Sequence, residues 1–201
     1  MKIAKCVAAA AIVIALSASV PTWAQMSGDK AMKAGGKANP AEVYDKLLSM
    51  QEKEIVSLAE AMPADKFDFA PSQAIFVPSQ KVDFSNPKPV MTFAQEVKHL
   101  TMANYGFFAT KDNKPTVDRK TISNLKTKDE IIAALKASYA FAHKSVSAMT
   151  TANGFVEFES DGRKTTMAAT FAFGLAHMND HYGQLNEYLR MNGIVPPASR
   201  K

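Results

Sequence analysis

The chain has 201 residues, of which 24 are basic and 19 acidic, so its formal net charge is +5. This length suits a single ordinary domain with a sizeable core. The mild basic excess is not the concentrated positive face of a nucleic-acid binder, and no segment after the N-terminus is long and apolar enough for a membrane helix.

Residues 1–24 are typical of an export signal. Two lysines precede an apolar run over residues 7–20, which is shorter than the roughly 20 residues that span a bilayer. The small residues up to Ala24 predict cleavage before Gln25. Cleavage would remove both lysines and the only cysteine, Cys6, and leave a net charge of +3. We therefore expect a periplasmic or secreted protein that has no disulfide and no cysteine nucleophile.

The first part of the expected mature chain combines a linker, a helix and a long connection. Residues 25–40 are polar and predict a flexible linker ahead of a domain over residues 41–197. Helical spacing of apolar residues predicts helix one from residue 41 to residue 62, and Pro40 stands where a first helical residue often stands. The proline-rich stretch 64–89 predicts an irregular connection between helices one and two. Its aromatic residues, expected to cover the core, are Phe67, Phe69, Phe76 and Phe84.

The middle of the chain predicts two further helices. Apolar residues at helical spacing predict helix two over residues 92–108. Residues 111–124 are polar and predict a loop. Thr127 and Glu130 make a capping-box pattern that should start helix three. Apolar residues at helical spacing continue this helix towards the break at residues 153–154.

The C-terminal part predicts a hairpin and a fourth helix. Residues 155–163 alternate apolar and polar side chains around an Asp-Gly pair, which predicts a small hairpin. Residues 166–192 carry an apolar stripe at helical spacing, and Gly193 is a natural C-cap. Four helices of these lengths, without a series of strands, predict an all-α fold, namely a four-helix bundle.

Three of the four histidines are the main functional signal. His177 and His181 lie four residues apart on one predicted helix, so both project from the same face. Such a pair can bind one metal ion. His99 on helix two would complete a three-histidine site with an open position, which is typical of catalytic rather than structural metal sites. The alternative is two ordinary helix residues, because HxxxH is short and lacks the glutamate of the HExxH motif.

Several residues near these histidines are candidates for supporting roles. Glu96, one turn before His99, is expected to face solvent or to orient His99. Asp180 and Gln184 are candidate hydrogen-bond partners of the ligating imidazoles, and the alternative is that both are simply solvated. Glu96, Asp180 and Tyr188 are the candidate general bases, on helical spacing alone.

The remaining signals point to structure rather than chemistry. His143 on helix three has no histidine nearby in sequence and is expected to be structural or exposed. The ten methionines that follow Met1 are scattered through all segments, which favours core packing over a copper site. The chain contains no nucleotide-binding glycine loop and no G-x-S-x-G elbow.

Three stretches resemble the DinB-like proteins. Residues 177–197 are similar to the closing helix of that family, and residues 93–99 to its second-helix ligand segment. Residues 68–71 resemble its usual connector after helix one, so the similarity covers most of residues 41–197. The resemblance implies a four-helix bundle with an unusual crossover connection, and often a homodimer.

The resemblance also implies a metal site. Residue by residue, it assigns one divalent metal, typically nickel or zinc, to His99, His177 and His181. The resemblance gives no reason to expect binding of nucleic acid, because the family name refers to induction by DNA damage and not to DNA binding. Some relatives are cytoplasmic transferases or isomerases that use a low-molecular-weight thiol, and the predicted export signal departs from them.

Three functions are compatible with these features. The first is a metal-dependent hydrolase or transferase, with water or a small-molecule substrate at the open coordination position. The second is a non-catalytic envelope protein, in which the metal locks the bundle or a cavity holds a small ligand. The third keeps the bundle and gives the histidines no metal.

Overall fold

The structure is a computed structural model that describes residues 35–71, 90–160 and 162–200. The predicted signal peptide and most of the predicted linker lie outside the described residues, as does the larger part of the connection 64–89, including Phe76 and Phe84. Within the described residues, no helix is both long and apolar enough to cross a membrane.

The described fold is all-α apart from one hairpin, as predicted. Its helices are α1 (Pro40–Ala61), α2 (Phe93–Phe107), α3 (Arg119–Asn124), α4 (Lys128–Ser147) and α5 (Met167–Met191). The hairpin precedes α5 and pairs β1 (Glu157–Ser160) with β2 (Arg163–Thr166) in antiparallel register. Short 3-10 turns follow α1 and α5, at Ala64–Lys66 and Pro197–Ser199.

The four long helices form a bundle. Helix α1 packs against α4 and α5, and α2 packs against the same two helices. Helices α1 and α2 therefore occupy opposite corners. They are joined by the connection 64–89, of which the structure describes residues 64–71. Its described start is tied to the first turn of α2, because the Phe93 and Ala94 amides donate to the carbonyls of Phe69 and Phe67 at 2.9 and 2.8 Å.

Local sequence sets the ends of the helices. Pro40 is the first residue of α1, and the Asn39 side chain accepts a hydrogen bond from the Ala41 amide. The predicted capping box of Thr127 and Glu130 starts α4, and a second capping box starts α2. Gly193, just after α5, has a φ of +73°, a left-handed conformation that glycine adopts without steric cost.

The apolar stripes meet in one core. On α5 the whole predicted stripe is buried; it consists of Phe171, Leu175, Met178, Leu185 and Leu189. Phe67 is also buried, and Phe69 packs against the core, as expected of the connection. On α1 the prediction holds for the second half of the helix, whereas Val43, Leu47 and Met50 are exposed.

The predicted polar loop 111–124 is corrected by the structure, since its last part is helix α3. The Asp118 carboxylate caps α3 by accepting a hydrogen bond from the Thr121 amide at 2.7 Å. Ile122 is buried beneath the helix. The Lys98 ammonium group on α2 donates to the carbonyls of Ser123 and Leu125, which closes the far end of α3. Tertiary contacts thus stabilise a helix too short to form alone.

Candidate metal centre

The structure brings His99, His177 and His181 together where α2 faces α5. One ring nitrogen from each histidine can be chosen so that the three lie within 4.8 Å of one another. The ring centroids are 5.1 Å apart for His99 and His177, 4.8 Å for His99 and His181, and 4.5 Å for His177 and His181. The three side chains are therefore close enough to hold one metal ion, and metal binding itself stays a prediction.

The donor geometry fits a shared ion. The Nε2 atoms of His99 and His177 are 3.1 Å apart. Two nitrogens that each lie about 2.05 Å from one ion, at an angle of about 90–110°, are about 2.9–3.4 Å apart. His181 has its Nδ1 engaged by another residue, which leaves its Nε2 as the ligand atom. The set offers three imidazole nitrogen donors and no thiolate, a combination that suits zinc, nickel or copper.

Glu96 differs from the prediction in both its exposure and its partner. Its side chain is 4% exposed, and its Oε2 accepts a hydrogen bond from the His181 Nδ1 at 2.6 Å. Glu96 is therefore buried rather than solvent-facing, and it orients His181 rather than His99. A carboxylate on the far nitrogen fixes the tautomer of a ligating imidazole and raises its basicity.

A signal for this role was present in the sequence. Glu96 stands three residues after Phe93 and four before Leu100, both of which are buried core residues. A carboxylate on such a stripe needs a buried partner, because an unpaired buried charge is too costly. The partner on α5, 85 residues away, becomes evident only in the fold.

The surroundings of His99 and His177 favour the neutral form of both imidazoles. Burial lowers the pKa of His99, and the charge of His181 lowers it further. Burial likewise lowers the pKa of His177, followed by the charges of His181 and His99. Glu96 acts in the opposite sense on both pKa values, but it does not outweigh burial. Neutral imidazoles are the form that binds metal.

An aromatic wall borders the cluster on the side of His177. The ring of Phe107 meets His177 edge to face, with centroids 5.3 Å apart. Phe173, one turn before His177, packs against Phe107 at 5.2 Å and remains 62% exposed. His99 and His177 are half-buried, whereas His181 is buried. The cluster therefore has an inner histidine, two outer histidines and an apolar rim at the surface.

The other residues with predicted supporting roles are Asp180, Gln184 and Tyr188. In the described part of the chain they form no hydrogen bond with the three histidines. Asp180 accepts a hydrogen bond from Gln184 at 3.0 Å; Asp180 is exposed and Gln184 is half-buried. The Tyr188 hydroxyl donates to the carbonyl of Met91, and burial raises the pKa of Tyr188 to about 12. Neither Asp180 nor Tyr188 is hydrogen-bonded to a clustered histidine, and the assignment of a general base stays a prediction.

His143 lies away from the cluster, on α4. Its Nδ1 is 2.5 Å from an Asp45 carboxylate oxygen, and its Nε2 is 3.1 Å from a Glu52 oxygen. Both carboxylates belong to α1, so this half-buried histidine links α4 to α1. The expectation of a structural role agrees with this arrangement.

Sequence comparison identifies the family of this bundle. A profile of the DinB superfamily matches residues 47–185, which is more than half of the chain. The chain belongs to the DinB superfamily. The matched span includes all three clustered histidines and Glu96. Among curated proteins, none matches the chain.

The fold has a counterpart among solved structures. A DinB-like protein from Bacillus subtilis superimposes with a TM-score of 0.56 and 18% sequence identity. The match covers 75% of this chain and 92% of that one. At this identity the likeness shows a shared fold and carries no inference about activity.

Proposed function

We propose that this DinB-superfamily protein binds one divalent metal through His99, His177 and His181 and uses it to hydrolyse a small molecule or transfer a group to it. The observation that carries the proposal is the convergence of three imidazoles, with the innermost one oriented by a buried carboxylate. Zinc and nickel are the metals we favour. Such an ion, when bound, would lower the pKa of a bound water molecule or polarise a bound oxygen or sulfur atom.

The residues at this site form a buried side and a solvent-facing side of the metal centre. Glu96 and His181 form the rigid, buried side of the centre, since both side chains are almost fully enclosed. His99 and His177 form the side that faces solvent, where a substrate can approach. Phe107 and Phe173 present apolar surface beside His177, against which an apolar part of a substrate can pack.

A screen of metal-loaded protein tests the catalytic part of the proposal. Zinc-loaded and nickel-loaded protein would be assayed against carboxylic esters, phosphate esters and thiol-transfer substrates. The matched control is the double variant His177→Ala/His181→Ala under the same conditions. We expect turnover in the wild type that the double variant lacks. Equal rates for both proteins across all substrate classes would contradict a catalytic role.

A specific observation favours a second function, that of a non-catalytic metal or ligand carrier. In the described part of the chain no carboxylate other than Glu96 is hydrogen-bonded to the three histidines: Glu96 accepts from His181, and Asp180 accepts from Gln184. This function predicts stoichiometric metal and strong thermal stabilisation without turnover. The screen above, combined with melting curves, distinguishes the two functions.

We also propose that the protein is exported. Support comes from the signal-like composition of residues 1–24, which lie outside the described residues. N-terminal sequencing of protein recovered from the periplasm or the medium should begin at Gln25. An intact N-terminus on protein found in the cytoplasm would contradict export. The homodimer stays a prediction, which light scattering of the purified protein would test.

A further inference from the structure

Gly174 lies on the face of α5 that packs against α2. It is buried, and it precedes His177 by three residues and His181 by seven, so all three project from the same side of the helix. Opposite Gly174 lies the C-terminal end of α2, at Phe107 and Phe108. The interface between α2 and α5 therefore contains both this glycine and the three clustered histidines.

No side chain fits at Gly174 without movement of its neighbours. A Cβ atom at this position would lie 2.8 Å from Cε2 of Phe108 and 3.1 Å from Cβ of Phe107. Carbon atoms in contact normally lie about 3.5–4.0 Å apart. The neighbours would therefore have to move by about 0.4–0.7 Å to make room for a methyl group.

The two phenylalanines cannot make this room by rotation of their side chains. The Phe108 ring is fully buried and stacks on Phe171, with centroids 4.9 Å apart. The Cβ atom of Phe107 is bonded directly to the backbone of α2, so it moves only with the helix. Protein interiors are close-packed and transmit such strain. An added Cβ atom would therefore push α2 and α5 apart beside the histidines.

The other glycine of α5 lacks this restriction. A Cβ atom at Gly183, two residues after His181, would have no heavy atom within 4 Å in the described part of the chain. Glycine within a helix is less favourable than alanine, because it loses more backbone freedom on folding. At Gly174 the close approach of the two helices requires glycine in spite of that cost.

We propose that Gly174 is a positioning residue that sets the distance between α2 and α5 at the three histidines. Because Gly174 has no side chain, His99 on α2 comes within reach of His177 on α5, and their Nε2 atoms lie 3.1 Å apart. Metal–ligand distances stay within about 0.2 Å of their usual values. Separation of the helices by about 0.4–0.7 Å would thus weaken the shared binding of one ion. The inference rests on the proposed function, because it assigns a residue that positions the ligands of that metal centre.

The zinc dissociation constant of Gly174→Ala, measured by competition with a chromophoric chelator, tests the proposal. We expect at least about tenfold weaker binding, the loss typical of a ligating histidine that loses its support. Gly183→Ala is the matched control, since it makes the same substitution on the same helix, and it should bind zinc like the wild type. All proteins are measured well below their melting temperatures. A lowered melting temperature of Gly174→Ala with an unchanged dissociation constant would indicate a purely structural role and overturn the proposal.

A double variant tests the contact that would separate the helices. Phe108→Leu removes the ring atoms nearest to the added Cβ, whereas the Cβ atom of Phe107 remains. Gly174→Ala/Phe108→Leu should therefore bind zinc more tightly than Gly174→Ala, and absence of any recovery would overturn the proposal. If circular dichroism shows that Gly174→Ala does not fold, the double variant is compared with Phe108→Leu instead. Equal zinc affinity in those two proteins would then overturn it.

The spacing of the histidines can also be measured without metal. In crystal structures of metal-free protein, the Nε2 atoms of His99 and His177 should lie at least about 0.4 Å further apart in Gly174→Ala than in the wild type. A wild type that binds no zinc, together with this increase in the variant, would refute the proposed metal function and support the spacing role of Gly174. An unchanged distance would overturn the spacing role, whether or not the wild type binds zinc.

Discussion

Replacement of Glu96 by glutamine is the most informative single change in this protein. The carboxylate is 4% exposed and lies 2.6 Å from the Nδ1 of His181, which is itself 6% exposed. Glutamine keeps the shape of the side chain and can still accept one hydrogen bond, but it removes the charge. The variant therefore isolates the electrostatic contribution of Glu96 to the metal centre.

The expected magnitude follows from this geometry. A charge-assisted hydrogen bond is roughly twice as strong as a neutral one. Loss of the outer partner of a ligating histidine typically lowers metal affinity about 10–100-fold, which corresponds to about 1.4–2.7 kcal/mol. Because this pair is buried, water cannot replace the lost interaction, and we expect a value in the upper half of that range.

Competition with a chromophoric chelator would measure the zinc dissociation constant. Glu187→Gln is the matched control, since Glu187 is exposed on α5 and pairs only with Arg190 in the described residues. That variant should bind zinc like the wild type. A Glu96→Gln variant whose zinc affinity is within twofold of the wild type would refute the role assigned to Glu96.

Three further outcomes are expected. Chelation should lower the melting temperature by about 5–11 °C relative to protein held at 100 times the dissociation constant, a loss of about 2.7 kcal/mol, and calorimetry would measure it. The pKa values of His99 and His177 are lowered from the ordinary 6.5, so the unfolded chain takes up protons at higher pH than the folded one. The free energy of unfolding of metal-free protein should thus be highest above pH 6.5 and should decrease below that pH. Urea titrations at several pH values would measure this change. Tyr139→Phe should leave stability unchanged or raise it by up to about 1 kcal/mol, because the buried Tyr139 hydroxyl has no hydrogen-bond partner among the described residues.

Each of these outcomes has a control. The melting temperature of His177→Ala/His181→Ala should not respond to chelation, and an equal response would contradict the metal centre. Replacement of His99 and His177 by asparagine should flatten the fall of the free energy of unfolding below pH 6.5. Ser138→Ala, which breaks the buried bond from the Asn104 amide, should cost about 1 kcal/mol in urea unfolding. A larger loss in Tyr139→Phe than in Ser138→Ala would contradict the interpretation of Tyr139.

The helices could be predicted because their signals are local. The apolar stripe of α5 repeats at helical spacing, and the residues that cap α1 and α4 lie beside the turns that they close. The pair His177 and His181 is likewise local, since four residues on one helix set its geometry. The third histidine, by contrast, lies on another helix, so helical spacing alone offers His99 only as a candidate, and the family resemblance supports its assignment.

The missed features depend on contacts between distant segments. Helix α3 has six residues and is held by the burial of Ile122 and by Lys98 on another helix. Glu96 is expected from the sequence to face solvent or to orient His99, because a charged side chain normally seeks water, and its partner His181 stabilises it inside. The arrangement in which α1 and α2 both pack against α4 and α5 likewise follows from the packing order of the bundle rather than from any local signal.

Elemental analysis of the purified protein tests the metal centre most directly. The wild type would be measured beside His177→Ala/His181→Ala, before and after loading with zinc or nickel. We expect near-stoichiometric metal in the wild type and none in the double variant. Absence of metal from the loaded wild type, or equal metal in both proteins, would contradict a three-histidine metal site.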